Sequence, residues 1–165
     1  MYLSTRDQTQ QQHERRITAQ IREHGAAWVQ KQQFWLFGTA VYHYGMSVSE
    51  AELARDARHF FNVLDKWVLT RRQINEGCRL PRLVFREAGR SRANLHFHFF
   101  IKGLSWQHYA SILGAAPEIW YQRIDKAHQL EIKDNLGSSD SRSGYGWKEF
   151  RAYSDETLLT ECCHL

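Results

Sequence analysis

The chain is poor in cysteine and has no long apolar run, and each shortage excludes a class of protein. Its 165 residues include three cysteines, Cys78 and the adjacent pair Cys162 and Cys163. An odd count without framework spacing indicates free thiols in a reducing compartment, which excludes a disulfide-stabilised secreted domain. Residues 1–16 are polar and charged, and no apolar run reaches the roughly 20 residues of a membrane-spanning helix. We therefore expect neither a signal peptide nor a membrane span.

The sequence also lacks internal repeats and the lysine motif of nucleotide-binding phosphate loops, so we expect no helicase in this chain. Its length suits a single domain with one hydrophobic core. With 42% hydrophobic residues, the composition is that of a folded globular protein. The net charge is only +4, but arginines cluster near the middle of the chain. They are Arg71, Arg72, Arg79, Arg82, Arg86, Arg90 and Arg92. Guanidinium groups suit phosphate contacts, although a solvated basic face is the commoner use of such a cluster.

Residues 94–101, Asn-Leu-His-Phe-His-Phe-Phe-Ile, are the most informative segment that is present. Their composition predicts a β-strand, and residues i and i+2 of a strand point to the same face. His96 and His98 therefore stand side by side, roughly 6–7 Å apart at the backbone, within reach of one metal ion. The alternative is two hydrogen-bonded histidines on a half-buried strand.

A carboxylate precedes the histidines on a second predicted strand, residues 80–88. Residues 89–92 read as a turn, so the two strands form a hairpin. With the turn centred between Ser91 and Arg92, Glu87 lies directly across from His96 and shares its face. Two imidazoles and one carboxylate with open positions suit Mg²⁺ or Mn²⁺ acting on phosphate oxygens, and zinc stays possible.

A tyrosine with a lysine three residues later stands near the C-terminus, in Gly144-Tyr145-Gly146-Trp147-Lys148. We expect a short helix over residues 141–153, on which Tyr145 and Lys148 share a face. A tyrosine hydroxyl beside a cation and a metal-held phosphate can act as a nucleophile. The alternative is a packed tyrosine with a solvated lysine.

The remaining pattern predicts an α+β fold. We expect three further helices: residues 4–32, a helix that begins at the capping signals Ser47 and Ser49 and ends at about residue 71, and residues 105–114. We expect strands at 34–44, 80–88, 94–102, 117–123 and 126–133. The core order β-α-β-β-α-β predicts a ferredoxin-like antiparallel sheet with its helices on one face and the other face free for metal and DNA. Residues 1–33 are expected to form a helical extension and residues 34–165 the domain that carries the motifs.

Together these segments resemble the HUH endonuclease superfamily, in particular the initiators of rolling-circle replication. The family's central motif is His, a bulky apolar residue, His, and here it is His96-Phe97-His98. Its nucleophile motif is Tyr-x-x-Lys, and here it is Tyr145-Gly-Trp-Lys148. Its third metal ligand is often a glutamate on the preceding strand, which matches Glu87. The segment 34–41 loosely resembles the family's first strand.

The resemblance implies a site-specific, metal-dependent single-stranded DNA endonuclease that forms a 5′-phosphotyrosine link. Residues 34–165 would be its nuclease domain, with Tyr145 and Lys148 catalytic and Mg²⁺ or Mn²⁺ as the cofactor. Arg82, Arg86, Arg90 and Arg92 are the candidate nucleic-acid contacts. The implied partners are single-stranded DNA at a replication origin and a separate helicase and polymerase, in the cytoplasm of a bacterial or archaeal host or in the nucleus of a eukaryotic one.

Other interpretations stay open. A relaxase or a transposase shares the same chemistry. A non-catalytic nucleic-acid-binding module of the same fold could stack bases on Phe97 and Phe99, and a structural zinc domain would leave Tyr145 without a role. His43, His128 and Glu131 are possible groups around the metal site, and Tyr153 is the competing nucleophile, although no lysine follows it at the same spacing.

Overall fold

A computed structural model of the protein describes residues 5–44, 46–88, 95–136, 142–147 and 157–165. Over these residues the fold is α+β, with a four-stranded antiparallel sheet and four α-helices. The elements in chain order are α1 (Thr5–Lys31), β1 (Leu36–Tyr42), α2 (Glu50–Val68), α3 (Arg71–Asn75), β2 (Arg82–Glu87), β3 (His96–Ile101), α4 (His108–Arg123) and β4 (Ala127–Asp134). Two short 3₁₀ helices follow, Tyr145–Trp147 and Thr160–Cys162.

The strands lie in the order β2-β3-β1-β4, and each neighbouring pair is antiparallel. The predicted β-α-β-β-α-β order is confirmed, with α2 and α4 as its two core helices. The arrangement is compatible with a ferredoxin-like core. It places β3 and β1 in the centre of the sheet, where a site built on them is supported by a strand on either side.

The main core lies between the sheet and the helices α2 and α4. Every second residue of β3 enters it, and Phe97, Phe99 and Ile101 are completely buried. Gly38 of β1 lies opposite Phe99, and a Cβ atom at Gly38 would come within 2.1 Å of the Phe99 ring. The ring therefore occupies the space that any other residue at position 38 would need, so β1 and β3 pair closely at the centre of the sheet.

The start of α2 confirms one of the two predicted capping signals. The Ser49 hydroxyl accepts a hydrogen bond from the Glu52 backbone N–H, and the Glu52 carboxylate accepts one from the Ser49 backbone N–H at 2.8 Å. Such a reciprocal cap satisfies two backbone donors that a helix start leaves unpaired. Together with Lys126, which contacts the Glu52 carboxylate at 3.0 Å, the cap lowers the pKa of Glu52 to about 2.

The prediction of a short helix at 105–114 and a strand at 117–123 is wrong. A single helix, α4, runs through both segments and contains Pro117. Proline removes one hydrogen bond from a helix and usually ends it, but here packing outweighs that loss. The buried residues recur at helical spacing on both sides of the proline: Ile112, Ala115, Ala116, Ile119 and Trp120. The residues before and after Pro117 thus belong to one buried face of α4.

The second face of the sheet is only partly free, which corrects the expectation of an open face. A smaller apolar cluster covers one end of it and is formed by Val29, Phe34, Phe37, Leu83, Phe85 and Phe100, with Trp147, Leu158 and Cys163 packed against it. These residues come from α1, the sheet, the Tyr145–Trp147 helix and the C-terminal segment. None of the described helices is both long and apolar enough to cross a membrane.

A buried ion pair joins β2 to α2 and to the C-terminal segment. The Arg82 guanidinium contacts the Asp65 carboxylate at 2.8 Å and donates to the Cys162 carbonyl at 3.0 Å. Both side chains are at most 2% exposed, and the guanidinium also lies 4.9 Å from the centre of the Phe61 ring. Burial lowers the pKa of Arg82, and Asp65 opposes that shift.

We predict that Asp65→Ala will destabilise the protein by about 3–5 kcal/mol, because it leaves the buried Arg82 guanidinium without its carboxylate partner. Arg82→Leu should cost less, because Arg79 still contacts the Asp65 carboxylate at 3.6 Å. Urea denaturation followed by circular dichroism measures the loss. The matched control is Arg72→Ala, which breaks the exposed pair between Arg72 and Glu76 and should cost less than about 1 kcal/mol. Equal losses for the buried and exposed pairs would contradict this role of Arg82.

Candidate active site

Glu87, His96 and His98 meet on the face of the sheet opposite α2 and α4, and we call them the Glu-His-His cluster. The pairing of β2 with β3 places Glu87 directly across from His96, as the hairpin spacing predicts. Because β3 alternates, Phe97, Phe99 and Ile101 point to the other face and fill the main core. The six residues of β3 thus supply both the core and the candidate site.

The distances within the cluster are short. His98 Nε2 lies 2.7 Å and His96 Nε2 lies 3.5 Å from Glu87 Oε2. One ligand atom from each residue lies within 4.8 Å of the other two, and no other His, Cys, Asp or Glu group of this kind occurs among the described residues. The rings of the two histidines are 5.0 Å apart at their centres and nearly perpendicular. Three donors of the right type therefore converge from neighbouring strands.

A divalent cation fits this donor set. Ligand atoms about 2.1 Å from a metal ion lie about 3.0–3.4 Å apart when they occupy neighbouring corners of its coordination shell. The two distances to Glu87 fall on either side of that range, so small side-chain movements would complete the geometry. One carboxylate and two imidazoles would leave further coordination positions for water or a phosphate oxygen.

Thr39 of β1 holds the His98 ring from the other side. Its Oγ1 lies 2.9 Å from His98 Nδ1, and Thr39 pairs with His98 in the sheet. In one tautomer Nε2–H donates to Glu87 and Nδ1 accepts from the hydroxyl. With Nε2 bound to a cation, Nδ1–H donates to the same hydroxyl, because a hydroxyl both donates and accepts. Thr39 can therefore orient the ring in either tautomer.

The three residues of the cluster differ in their exposure to solvent. His98 is 3% exposed and stacks on the Phe37 ring with 5.5 Å between ring centres. Glu87 is 7% exposed, whereas the His96 side chain is 15% exposed. A ligand would therefore approach from the side of His96. Thr39 and Phe37 were not predicted as site residues, although strand alternation along β1 places both on this face.

The tyrosine segment packs against the same face of β2 as the cluster. A Cβ atom at Gly146 would come within 2.7 Å of the Phe85 ring, so only glycine allows this close approach. The Trp147 ring lies 5.3 Å from the Phe85 ring, and a Cβ atom at Gly25 of α1 would come within 2.5 Å of Trp147. Since Phe85 pairs with His98, the segment lies beside the Glu-His-His cluster.

The local structure of that segment differs from the predicted helix. Residues 142–144 form a turn, and Tyr145–Trp147 is a single turn of 3₁₀ helix, which we call the Tyr145 turn. Glycines on both sides of Tyr145 disfavour a regular helix there. The rest of the predicted helix, including Lys148 and Tyr153, lies outside the described residues.

The alternation of β2 turns Arg82 and Arg86, two of the predicted nucleic-acid contacts, away from the cluster. Arg82 is buried in its ion pair with Asp65, and Arg86 lies on the helix side, where it pairs with Glu50 and its side chain is 13% exposed. Strand neighbours of Glu87 at odd spacing must face away from it. Neither arginine therefore faces the cluster, and Arg90 and Arg92 lie outside the described residues.

Comparison of the chain with protein-family models, with curated proteins and with solved structures finds no match. The resemblance to the HUH endonucleases therefore rests on the sequence motifs of this chain alone.

We predict that Thr39→Val will weaken Mn²⁺ binding about tenfold or more, because loss of a group that orients a metal-binding histidine typically has that effect. Thr39→Ser keeps the hydroxyl and should bind within about twofold to threefold of the wild type. Titration calorimetry with Mn²⁺ measures both variants. Wild-type affinity in the valine variant would contradict the orienting role of Thr39.

Proposed function

We propose that the protein is a metal-dependent endonuclease for single-stranded DNA, with Tyr145 as the nucleophile. The observation that carries the proposal is the convergence of Glu87, His96 and His98 on one sheet face, with the Tyr145 turn packed against the same face of β2. The order of these parts along the chain is the one that the HUH resemblance implies. Initiation of rolling-circle replication is the role within that superfamily that we favour, for a plasmid or a virus.

In this proposal the Glu-His-His cluster holds Mg²⁺ or Mn²⁺, which would supply Lewis-acid polarisation of the scissile phosphate. Glu87 contributes the anionic ligand, and the two imidazoles contribute neutral ones. The stacking of His98 on Phe37 and its contact with Thr39 restrict the ring, so the orientation of this imidazole is set before substrate arrives.

The Tyr145 hydroxyl oxygen would attack the phosphorus in line with the bond to the 3′-oxygen. A bond forms between phosphorus and the phenolic oxygen, and the bond to the 3′-oxygen breaks. The phenolic proton is lost, and the 3′-oxygen takes up a proton. The product is a 5′-phosphotyrosine and a free 3′-OH, and the phosphodiester energy is retained for rejoining. Lys148 would stabilise the charge that develops on the phosphate or on the phenolic oxygen.

Two alternatives lead to different outcomes. A relaxase or a transposase would form the same covalent link, and only the DNA target would separate them from an initiator. A binding module that stacks bases on Phe97 and Phe99 is disfavoured, because both rings are completely buried beneath α2. A structural zinc domain would bind metal but would form no adduct with DNA.

We predict that Tyr145→Phe will abolish the covalent adduct while leaving binding of Mn²⁺ and of single-stranded DNA unchanged, because the substitution removes only the hydroxyl. The wild type and the variant are incubated with a random pool of single-stranded DNA and Mn²⁺ and compared on a denaturing gel. The same substitution at Tyr153 is the matched control and should leave the adduct in place. Mapping of the linked nucleotide to a residue other than Tyr145 would overturn the nucleophile assignment.

We also predict that His96→Ala combined with His98→Ala will abolish adduct formation and leave the main core folded, since the two rings lie on the face away from it. Loss of the buried His98 ring, which contacts Glu87 and Phe37, should lower the melting temperature. Glu87→Ala should weaken Mn²⁺ binding more than DNA binding, because the carboxylate is a metal ligand and carries no positive charge for phosphate. Thermal denaturation reports folding and calorimetry reports metal binding. Cleavage by the double variant at the wild-type rate would rule out the metal site.

A further inference from the structure

A second pair of histidines lies on the same side of the sheet as the Glu-His-His cluster. The rings of His43 and His128 are 4.7 Å apart at their centres, and both residues are exposed. His43 follows β1 directly, and His128 is the second residue of β4. We call these two residues the histidine pair. Because both residues are exposed, burial in the core does not account for their contact.

An irregularity in the sheet brings the histidine pair together. Val41 pairs with Gln129, but the next residue, Tyr42, pairs with Ala127. His128 is therefore an extra residue on β4, which is the arrangement of a β-bulge. Bulges change the direction of a side chain and are frequent beside active sites. Here the bulge allows the His128 ring to contact His43.

The histidine pair lies next to the accessible side of the Glu-His-His cluster. Val41 pairs with His96, and His43, the first residue after β1, is two residues beyond Val41, so continued alternation gives both the same face. From the strand rise and spacing, the Cα atoms of His43 and His96 are roughly 8 Å apart. Tyr44 follows immediately, and 90% of its surface is exposed. An exposed aromatic residue thus adjoins the histidine pair in the chain.

We propose that His43, Tyr44 and His128 form a subsite for the nucleotide next to the one held at the Glu-His-His cluster. This inference rests on the proposed function. A ring nitrogen of each imidazole donates a hydrogen bond to the neighbouring phosphodiester, and the Tyr44 ring stacks on the base. The occupant is single-stranded DNA, because the base is exposed for stacking only when the strand is unpaired.

A phosphate suits the histidine pair better than a metal ion. No carboxylate or cysteine completes a three-ligand group with these imidazoles among the described residues, since the Glu-His-His cluster is the one such group there. Neutral and protonated imidazoles alike carry an N–H that can donate to a phosphate oxygen. Their exposure leaves those donors accessible to a strand that crosses the face of the sheet.

Binding of fluorescein-labelled oligothymidine in EDTA, followed by fluorescence anisotropy, tests the subsite. The double variant His43→Ala and His128→Ala should bind about tenfold more weakly, and so should Tyr44→Ala, the loss of one stacked base. Tyr44→Phe keeps the ring and should bind like the wild type. The matched controls are His59→Ala and Trp67→Ala on α2, where both side chains are exposed on the opposite side of the sheet; they should change affinity by less than about twofold.

Wild-type affinity in the double histidine variant and in Tyr44→Ala would overturn the subsite. If the alanine variants melt below the wild type, His43→Gln combined with His128→Gln keeps a donor at each position and should restore both folding and affinity. The assay excludes metal and therefore cleavage, so it is independent of the Tyr145 adduct. If the wild type forms no covalent adduct through Tyr145 but the variants bind the oligonucleotide more weakly, the nuclease proposal alone is overturned. Unchanged binding in the variants with an intact adduct would overturn the subsite alone, and so would a wild type that does not bind the oligonucleotide.

Discussion

The alternation of side chains along β3 is the constraint on which the core and the candidate site both depend. One set of residues, Phe97, Phe99 and Ile101, is completely buried against the helices. The other set places two imidazoles on the opposite face. Because the buried set is large and apolar, a register shift of one residue would expose the aromatic rings and bury the histidines. The core packing thereby fixes the register that brings Glu87 opposite His96.

The parts of the fold that follow from local spacing could be predicted from the sequence. The closeness of β2 and β3 in the sequence predicts their antiparallel pairing, and the predicted register puts Glu87 opposite His96. The capping box at Ser49 marks the start of α2 within one residue. The β-α-β-β-α-β order follows from the alternation of strand and helix patterns, since connections between such elements have few arrangements.

Other features depend on contacts between distant parts of the chain. The continuation of α4 through Pro117 follows from the burial of Ile119 and Trp120 in the core, which outweighs a local signal for termination. The cover over one end of the second face comes from α1 and the C-terminal segment, whose docking no local pattern encodes. The burial of Arg82 has the same origin, because its partners are Asp65 and the Cys162 carbonyl. By contrast, strand alternation alone predicts that the side chains of Arg86 and Glu87 point to opposite faces of the sheet.

The site joins a central sheet to a tyrosine turn through one aromatic residue, Phe85, which lies opposite His98 and beneath Gly146. The central claim is that the Glu-His-His cluster binds a divalent cation. Anomalous diffraction from crystals grown with Mn²⁺ tests it most directly. The account predicts one strong peak about 2.1–2.3 Å from His96 Nε2, His98 Nε2 and a Glu87 carboxylate oxygen. A retained hydrogen bond between His98 and Glu87 with no peak beside it, at saturating Mn²⁺, would contradict the account.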